Sequence, residues 1–373
     1  MNISVPKERQ SDEHRVGLTP TGARVLIDAG HKVYCERGCG LDAGYADKEY
    51  ADSGATVVFS REEVYGRGDI VCGIKAPGTE DYDMLREGQI IGGFLHLLVA
   101  PRALTDVLVD KKITTLCYEE MTEDGFAPLL SPASEIGGRM MPQIAARYME
   151  TSEGGRGKLL MGTPGVPAAV VAIVGGGFFG YHAALTFLHA GANVLVLDTD
   201  FRKLQRLDRD FGGHINTLIS TENAIAKVLT FADVIISAVH RYGEVAPKII
   251  TREMLKTMIP RSLFIDVSID QGGTAETSRP TTLHNPVYVV DEILHYCVPN
   301  VTSNVARTAS RAHTIGLCPI LLKLGKAEDS LKMIEGKEIF RTGAFIVEGK
   351  VVQEHLRELH HEKRGRGRKE DKR

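Results

Sequence analysis

Four side chains stand where apolar runs end, and their types suit the handling of a small amino or oxo acid. Lys75 closes "DIVCGIK", His96 closes "QIIGGFLH", Asp270 follows "LFIDVSI", and Arg15 lies in "SDEHRVGLTP", the loop after the first apolar run. An arginine holds a carboxylate with two parallel hydrogen bonds, and a lysine sets an ammonium charge against a carboxylate or carbonyl oxygen. An amino acid must lose a proton from its ammonium group before hydride leaves its α-carbon, and the resulting imine must add water. That chemistry calls for a base near neutral pH, a role for His96, and a carboxylate that orients water or offsets a developing cation, a role for Asp270. Taken singly, each is more often an ordinary ion-pair or core residue, and a histidine inside "IIGGFLHLLVAP" is usually structural. Their shared place at strand ends points to a site, because open α/β sheets gather ligands beyond the carboxyl ends of their strands.

A second constellation binds rather than reacts. In "VAIVGGGFFGYHAALTFLHAGANVLVLD", Gly175, Gly177 and Gly180 follow a β-rich run and open a helix that stops near Gly191. The first glycine permits a tight turn, the second lets backbone approach a pyrophosphate, and the third allows close helix-sheet packing. The helix N-terminus adds amide donors and a positive dipole end. Asp198 ends the next strand, where its carboxylate would accept from a ribose diol and repel a 2'-phosphate, so NAD is the expected cofactor. Arg202 and Lys203 close by keep NADP open. The similar "GCGLDAG" (Gly38, Gly40, Gly44) has its last glycine one position late and no terminal acid, and is set aside.

The elements that must position these residues follow from periodicity. "NISVP", "KVYCE", "ATVVFS", "DIVCGI", "QIIGGFL" and "TTLCY" read as strands, separated by the helical compositions "REEVYGR", "DYDMLRE" and "PRALTDVLVDKK". "TPTGARVLIDAG" has a threonine cap candidate in Thr19, Pro20 at the first helical position and Gly30 at the stop. After the helical run "SPASEIGGRMMPQIAARYMETS" and a Gly/Pro-rich loop, a second α/β unit carries the strands "AVVAIV", "NVLVLD", "HINTLI", "DVIISAV", "LFIDVS" and "VYVV". A long helix in "NVARTASRAHTIGLCPILLKLG" and a hairpin around Gly349 close the chain. The expected fold is α/β, with two doubly wound Rossmann-like domains, the second inserted into the first, and a cleft between. Residues 1–128 plus 306–373 form the substrate domain and 129–305 the NAD-binding domain.

At 373 residues the chain is long enough for two cores, and its 25% charged and 43% hydrophobic content is that of a folded soluble protein. The net charge is −3, and residues 362–373 hold seven Lys/Arg against three Asp/Glu, so the remainder is more acidic still and a poor nucleic-acid ligand. The mixed-sign, glycine-broken tail reads as solvated. No signal-like N-terminus or long apolar window is present, which gives the expectation of a cytoplasmic protein without membrane contact. The six cysteines are scattered without metal-ligand spacing, so they read as reduced thiols and no metal is expected.

Over nearly its whole length the sequence resembles the alanine dehydrogenase family, which shares its fold with the NAD-binding subunit of proton-translocating transhydrogenase. The resemblance runs in order through "VPKE", "HRVGLTPTG", "GIKAP", "LREGQIIGGFLHL", "GGRGKLLMGTPGVP", "VAIVGGG", "DVSIDQGG", "ETSRPTT" and "HYCVPN". It implies reversible conversion of L-alanine, NAD and water to pyruvate, ammonium and NADH. Arg15 and Lys75 would bind substrate, His96 would act as acid and base, and Asp270 would serve beside the nicotinamide. Ser134, Asp198, Lys203 and Ser220 would join the glycines around the cofactor. It also implies a homo-oligomer, commonly a hexamer. Ala133 in place of a bulkier methionine, Val301-Thr302 in place of Met-Pro, a more polar "VHRYGEVAP" loop and the absence of a frequent glutamate after the lysine of "GIKAP" depart from the family pattern. They leave open a different small amino acid, or an opine-type reductase joining a 2-oxo acid to a second amine. A non-catalytic NAD-binding coupling subunit is the third alternative.

Overall fold

The computed structural model describes residues 1–359; the basic run at 362–373 lies outside them. The chain divides into two compact units, one of Met1–Ala133 with the chain from Ser303 onward, the other of Ser134–Thr302. The expected first boundary at residue 128 precedes a helix, α2 (Leu130–Tyr148), whereas the division falls inside it. That helix runs through Pro142 without a break in its assignment, so no loop marks the crossing.

In the first unit, β1 (Asn2–Val5), β2 (Lys32–Glu36), β3 (Thr56–Val58), β4 (Ile70–Lys75), β5 (Ile90–Phe94) and β6 (Thr114–Cys117) form one parallel sheet in the order β3-β2-β1-β4-β5-β6. Strands buried on both faces need apolar residues throughout. Ile70, Cys72 and Ile74 enter one core, while Val71 and Ile91 enter the other, as the two-residue period of a strand requires. The helix α1 (Pro20–Asp28) starts on proline and gives way to Gly30 at φ 88°, as expected. Thr19 does not cap it through its hydroxyl; instead its amide donates to Thr314 Oγ1 at 3.0 Å. The segment "DYDMLRE", expected as an α-helix, lies partly in a 3-10 turn, Thr79–Met84. Buried Asp81 decides this: its carboxylate accepts from the Gly78 amide at 3.1 Å and from Arg61 Nη2 at 2.7 Å, which stops the turn from propagating.

The second unit holds β7 (Val170–Val174), β8 (Asn193–Asp198), β9 (Asn216–Ile219), β10 (Val234–Ser237), β11 (Leu263–Asp266), β12 (Val287–Val290) and β13 (Ile293–Tyr296), ordered β12-β13-β11-β10-β7-β8-β9. All pair in parallel except β12, an antiparallel edge. β13 was not expected. Asp291 and Glu292, at φ 49° and 63°, turn the chain back between β12 and β13, a two-residue turn that normally favours Asn-Gly. Two helices follow the strands of the nucleotide-type half, α3 (Phe178–His189) and α4 (Phe201–Asp210). The chain then enters α5 (Ala306–Gly325) of the first unit and later forms the hairpin β14 (Ile346–Val347) and β15 (Lys350–Val351), turned at Glu348 and Gly349, before a last described helical stretch at 354–359. All six cysteines are buried and free. Among the described residues no helix is long and apolar enough to cross a membrane, and no group of three or more His, Cys, Asp or Glu is placed to hold a metal.

Candidate active site

Each sheet reverses its strand order at one point: between β1 and β4 in the first unit, and between β7 and β10 in the second. A ligand crevice forms at such a point because the connections leave in opposite directions.

In the first unit the loop after β1 carries Arg15. The guanidinium is buried and held by Glu13, Nε to Oε1 at 2.7 Å and Nη2 to Oε2 at 2.6 Å. Burial alone would raise the Glu13 carboxyl, but Arg15 outweighs it and the group sits below the usual carboxylate range. The Nε–Nη2 edge therefore faces Glu13. Three amides fix this loop to hydroxyls on the returning chain: His14 to Ser303 at 2.7 Å, Val16 to Ser310 at 3.0 Å, and Thr19 to Thr314. The guanidinium carbon lies 5.9 Å from the Phe94 ring centre, above the end of β5.

Lys75 ends β4 beside Phe94, and a bulge aims it there. Cys72 pairs with Gly92 but Lys75 with Phe94, so β4 gains one residue on β5. The displaced Ile74 amide donates to Glu8 Oε1 at 2.6 Å. Burial, reinforced by the charge of Glu13, pushes the Glu8 carboxyl up to about 7. Lys75, Glu8, Gly73, Ala76 and Pro77 line a small open crevice at the switch point.

His96 lies two residues beyond β5, one strand over. Its φ of 44° is left-handed, a conformation that costs a residue bearing a β-carbon about 1–2 kcal/mol. The turn is braced from both sides. Its carbonyl accepts from the amides of Val99 and Ala100, both at 3.0 Å, while its own amide donates to Glu119 Oε1 at 2.7 Å. Leu95 and Leu97 are buried on either side, so the apolar neighbours anchor the backbone while the imidazole keeps 20% of its surface. Arg15, Lys75 and His96 are thus gathered along one carboxyl edge.

In the second unit Gly175 has φ 108°, and a β-carbon there would strike the Ala238 carbonyl. One at Gly180 would strike the Gly175 carbonyl, whereas one at Gly177 would meet nothing within 4 Å. Two glycines are therefore required by the protein's own packing. The third leaves open space at the N-terminus of α3, the cradle a pyrophosphate needs. Asp198, buried at the end of β8, accepts from the Gly176 amide at 2.7 Å and the Asp200 amide at 2.8 Å. Oδ1, with one donor, keeps a second lone pair for a ribose hydroxyl, whereas Oδ2 also accepts from Lys203. Lys203 Nζ stands 3.5 Å from the same carboxylate, and the Ser220 amide donates to the Asp198 carbonyl at 2.9 Å. Ser134 lies one turn before Gly138 of α2, where a β-carbon would meet the Phe179 carbonyl and the Ala183 amide of α3. Asp270 sits in the turn Ile269–Gln271 beyond β11. Ser268 ties that turn to the end of β10, accepting from the Val239 amide at 3.1 Å and donating to its carbonyl at 2.8 Å. The glycines, Asp198, Lys203, Ser220 and Asp270 share one carboxyl edge. Of the departures from the family pattern, Ala133 packs against a core of the first unit, while Val301 and Thr302 are buried in a 3-10 turn.

Four residues around the first edge escaped the sequence reading: Glu8, Glu13, Glu119 and His313. Glu8 and Glu13 lay inside segments already singled out, two residues from Pro6 and from Arg15. Glu119 and His313 gave no local signal, being brought in by β6 and α5. His313 is buried, its ring 5.8 Å from that of Phe94 and 5.2 Å from that of Tyr118, and neither ring nitrogen has a hydrogen-bond partner among the described residues.

Comparison with known proteins places the chain in a family. Residues 4–137 match the family model "Alanine dehydrogenase/PNT, N-terminal domain" and residues 141–354 the corresponding C-terminal domain. An alanine dehydrogenase of Methanococcus maripaludis is 41% identical over 362 residues, 96% of each chain. A solved structure described as an L-alanine dehydrogenase superposes with a TM-score of 0.88 at 36% identity, covering 97% of this chain and 99% of the other. A transhydrogenase structure from Sinorhizobium meliloti, at 22% identity and a TM-score of 0.79 over 94% of this chain and all of the other, shares the fold. The chain belongs to the alanine dehydrogenase/PNT family.

Proposed function

We propose that this protein is an NAD-dependent alanine dehydrogenase, interconverting L-alanine, NAD and water with pyruvate, ammonium and NADH. The observation that carries the reading is the gathering of Arg15, Lys75 and His96 on one carboxyl edge, in a chain alike over nearly its full length to proteins named alanine dehydrogenase. Arg15 takes the substrate carboxylate, and Lys75 places its charge against the carboxylate or the carbonyl oxygen. His96 removes the proton from the substrate ammonium during deamination and returns it to nitrogen or to the carbinolamine oxygen in the reverse direction. Asp270 orients the water that adds to the imine and offsets the cation. NAD, when bound, accepts the hydride from the α-carbon. Gly175, Gly177 and Gly180 receive its pyrophosphate, and Asp198, Lys203, Ser134 and Ser220 surround the remainder. The negative charge of Asp198 favours NAD over NADP.

A cytoplasmic homo-oligomer, hexameric by the family resemblance, belongs to the same proposal. The exposed apolar side chains Leu159, Met161 and Val166 support a subunit contact. Light scattering of the purified protein tests the assembly, and a single-chain mass would refute it. The activity is tested by following NADH formation from L-alanine. Asp198→Ala should weaken NAD and narrow its advantage over NADP, and an unchanged cofactor ratio would remove Asp198 from the cofactor site.

A further inference from the structure

Glu119 and His96 occupy equivalent places on neighbouring strands. β5 ends at Phe94 and β6 at Cys117, the two strands pair in parallel with Gly93 opposite Cys117, and each residue lies two positions past its strand. The carboxylate of Glu119 then lies under the turn that carries the imidazole. Oε2 accepts from the Leu95 amide at 3.2 Å and Oε1 from the His96 amide at 2.7 Å. The same Oε1 stands 3.9 Å from His96 Nδ1. That separation is too long for a direct hydrogen bond and short enough for strong charge coupling.

We infer that Glu119 is a positioning residue for His96: its buried carboxyl group fixes the left-handed turn that aims the imidazole, and its ionisation changes the charge the ring faces. The inference rests on reading His96 as the acid and base. A left-handed backbone at a residue other than glycine persists only where its surroundings over-determine it. Two consecutive amides held by one carboxylate provide that constraint from below, and the hydrogen bonds to the His96 carbonyl provide it from the other side. Alternative uses of Glu119 are few, since it is 2% exposed and both oxygens are already engaged by backbone.

The coupling has a definite sign. Burial pushes the Glu119 carboxyl up to about 8 against the pull of the backbone amides, its own among them, and the neighbouring carboxylate of Glu120 adds to the rise. Buried Cys117 stays protonated, its thiol pushed well up by burial and by these two glutamates. Near neutral pH the Glu119 carboxyl is therefore close to its own titration. Its ionised form sets a negative charge 3.9 Å from His96 Nδ1.

The test is the pH profile of kcat/KM for L-alanine in the wild-type protein and in Glu119→Gln, whose amide nitrogen cannot accept a backbone hydrogen bond. The acid limb should move to lower pH by about one unit, with NADH affinity within about two-fold of wild type. If Glu119→Gln does not fold, Glu119→Asp withdraws the carboxylate by one methylene and should move the limb in the same direction by less. An NMR titration of the His96 ring, assigned through its loss in His96→Asn, reads the same shift without turnover. An acid limb and a His96 titration unmoved in the glutamate variants would overturn the inference, even if activity fell. A wild-type protein inactive on alanine would sink the proposed function alone, and the NMR titration would still decide the role of Glu119.

Discussion

At the scale of single residues, the reaction proposed here rests on His96, and its backbone dictates the informative substitution. Alanine at φ 44° would remove the imidazole and disturb the turn together. Asparagine tolerates the left-handed region, so His96→Asn separates the two effects. We expect turnover to fall by about 10²–10⁴-fold while NADH affinity and melting temperature hold, as measured by steady-state kinetics, fluorescence titration and thermal unfolding. Parallel losses of affinity and stability would mark His96 as structural. Lys75 and His96 stood out in the sequence because each closes an apolar run, Asp270 because it follows one, and Arg15 because it lies in the loop after the first strand. Their carboxylate partners were not. Glu119 sits in "YEEMTEDG", which reads as an acidic loop, and only the pairing of β5 with β6 puts its carboxylate beneath His96. Glu13 stood in plain view beside Arg15, but spacing alone does not tell a buried two-point ion pair from an exposed one.

At the scale of elements, the strand-glycine-helix unit separates what the fold requires from what a cofactor requires. Gly180→Ala forces a β-carbon against the Gly175 carbonyl, backbone against backbone, and should destabilise the second unit whether or not a dinucleotide is present. Gly177→Ala meets no protein atom within 4 Å, so its melting temperature should stay near wild type while NADH binding weakens at least about ten-fold. Calorimetry and fluorescence titration on the two variants check this, and equal effects of both on folding would show that the open space at Gly177 is not the cofactor cradle. α5 supplies a second case. Burial, with the Arg15 charge adding to it, pushes His313 down to about 3, so the folded protein keeps this ring neutral while the unfolded chain protonates it below its ordinary value near 6.5. The unfolded state therefore binds the extra proton, and stability drains away as pH falls from about 6.5 toward 3. His313→Phe should remove that loss and spare two unpartnered ring nitrogens, raising the urea midpoint at pH 4 more than at pH 7. An equal change at both pH values would contradict the linkage. Periodicity foresaw most elements here, but not the bulge at Gly73 or the hairpin that adds β13. A bulge depends on which amide Glu8 captures, and the hairpin on two acidic residues taking positive φ, neither of which follows from composition.

At the scale of the whole molecule, the chain is two α/β units of one strand-order plan, each with most of its predicted residues along the carboxyl edge of its sheet. The raised Glu119 carboxyl adds a global consequence opposite in sign to that of His313. The folded state retains a proton that the unfolded chain releases above its ordinary value near 4.5, so stability contributed there declines as pH rises toward about 8. The central claim, that hydride and proton transfer act together on an amino acid and its oxo acid, is tested most directly by NADH oxidation with pyruvate in the presence and absence of ammonium. We predict steady oxidation that requires ammonium, slows sharply when NADPH replaces NADH, and collapses in His96→Asn. Oxidation that proceeds equally without ammonium, or none at all with pyruvate and ammonium together, would contradict it.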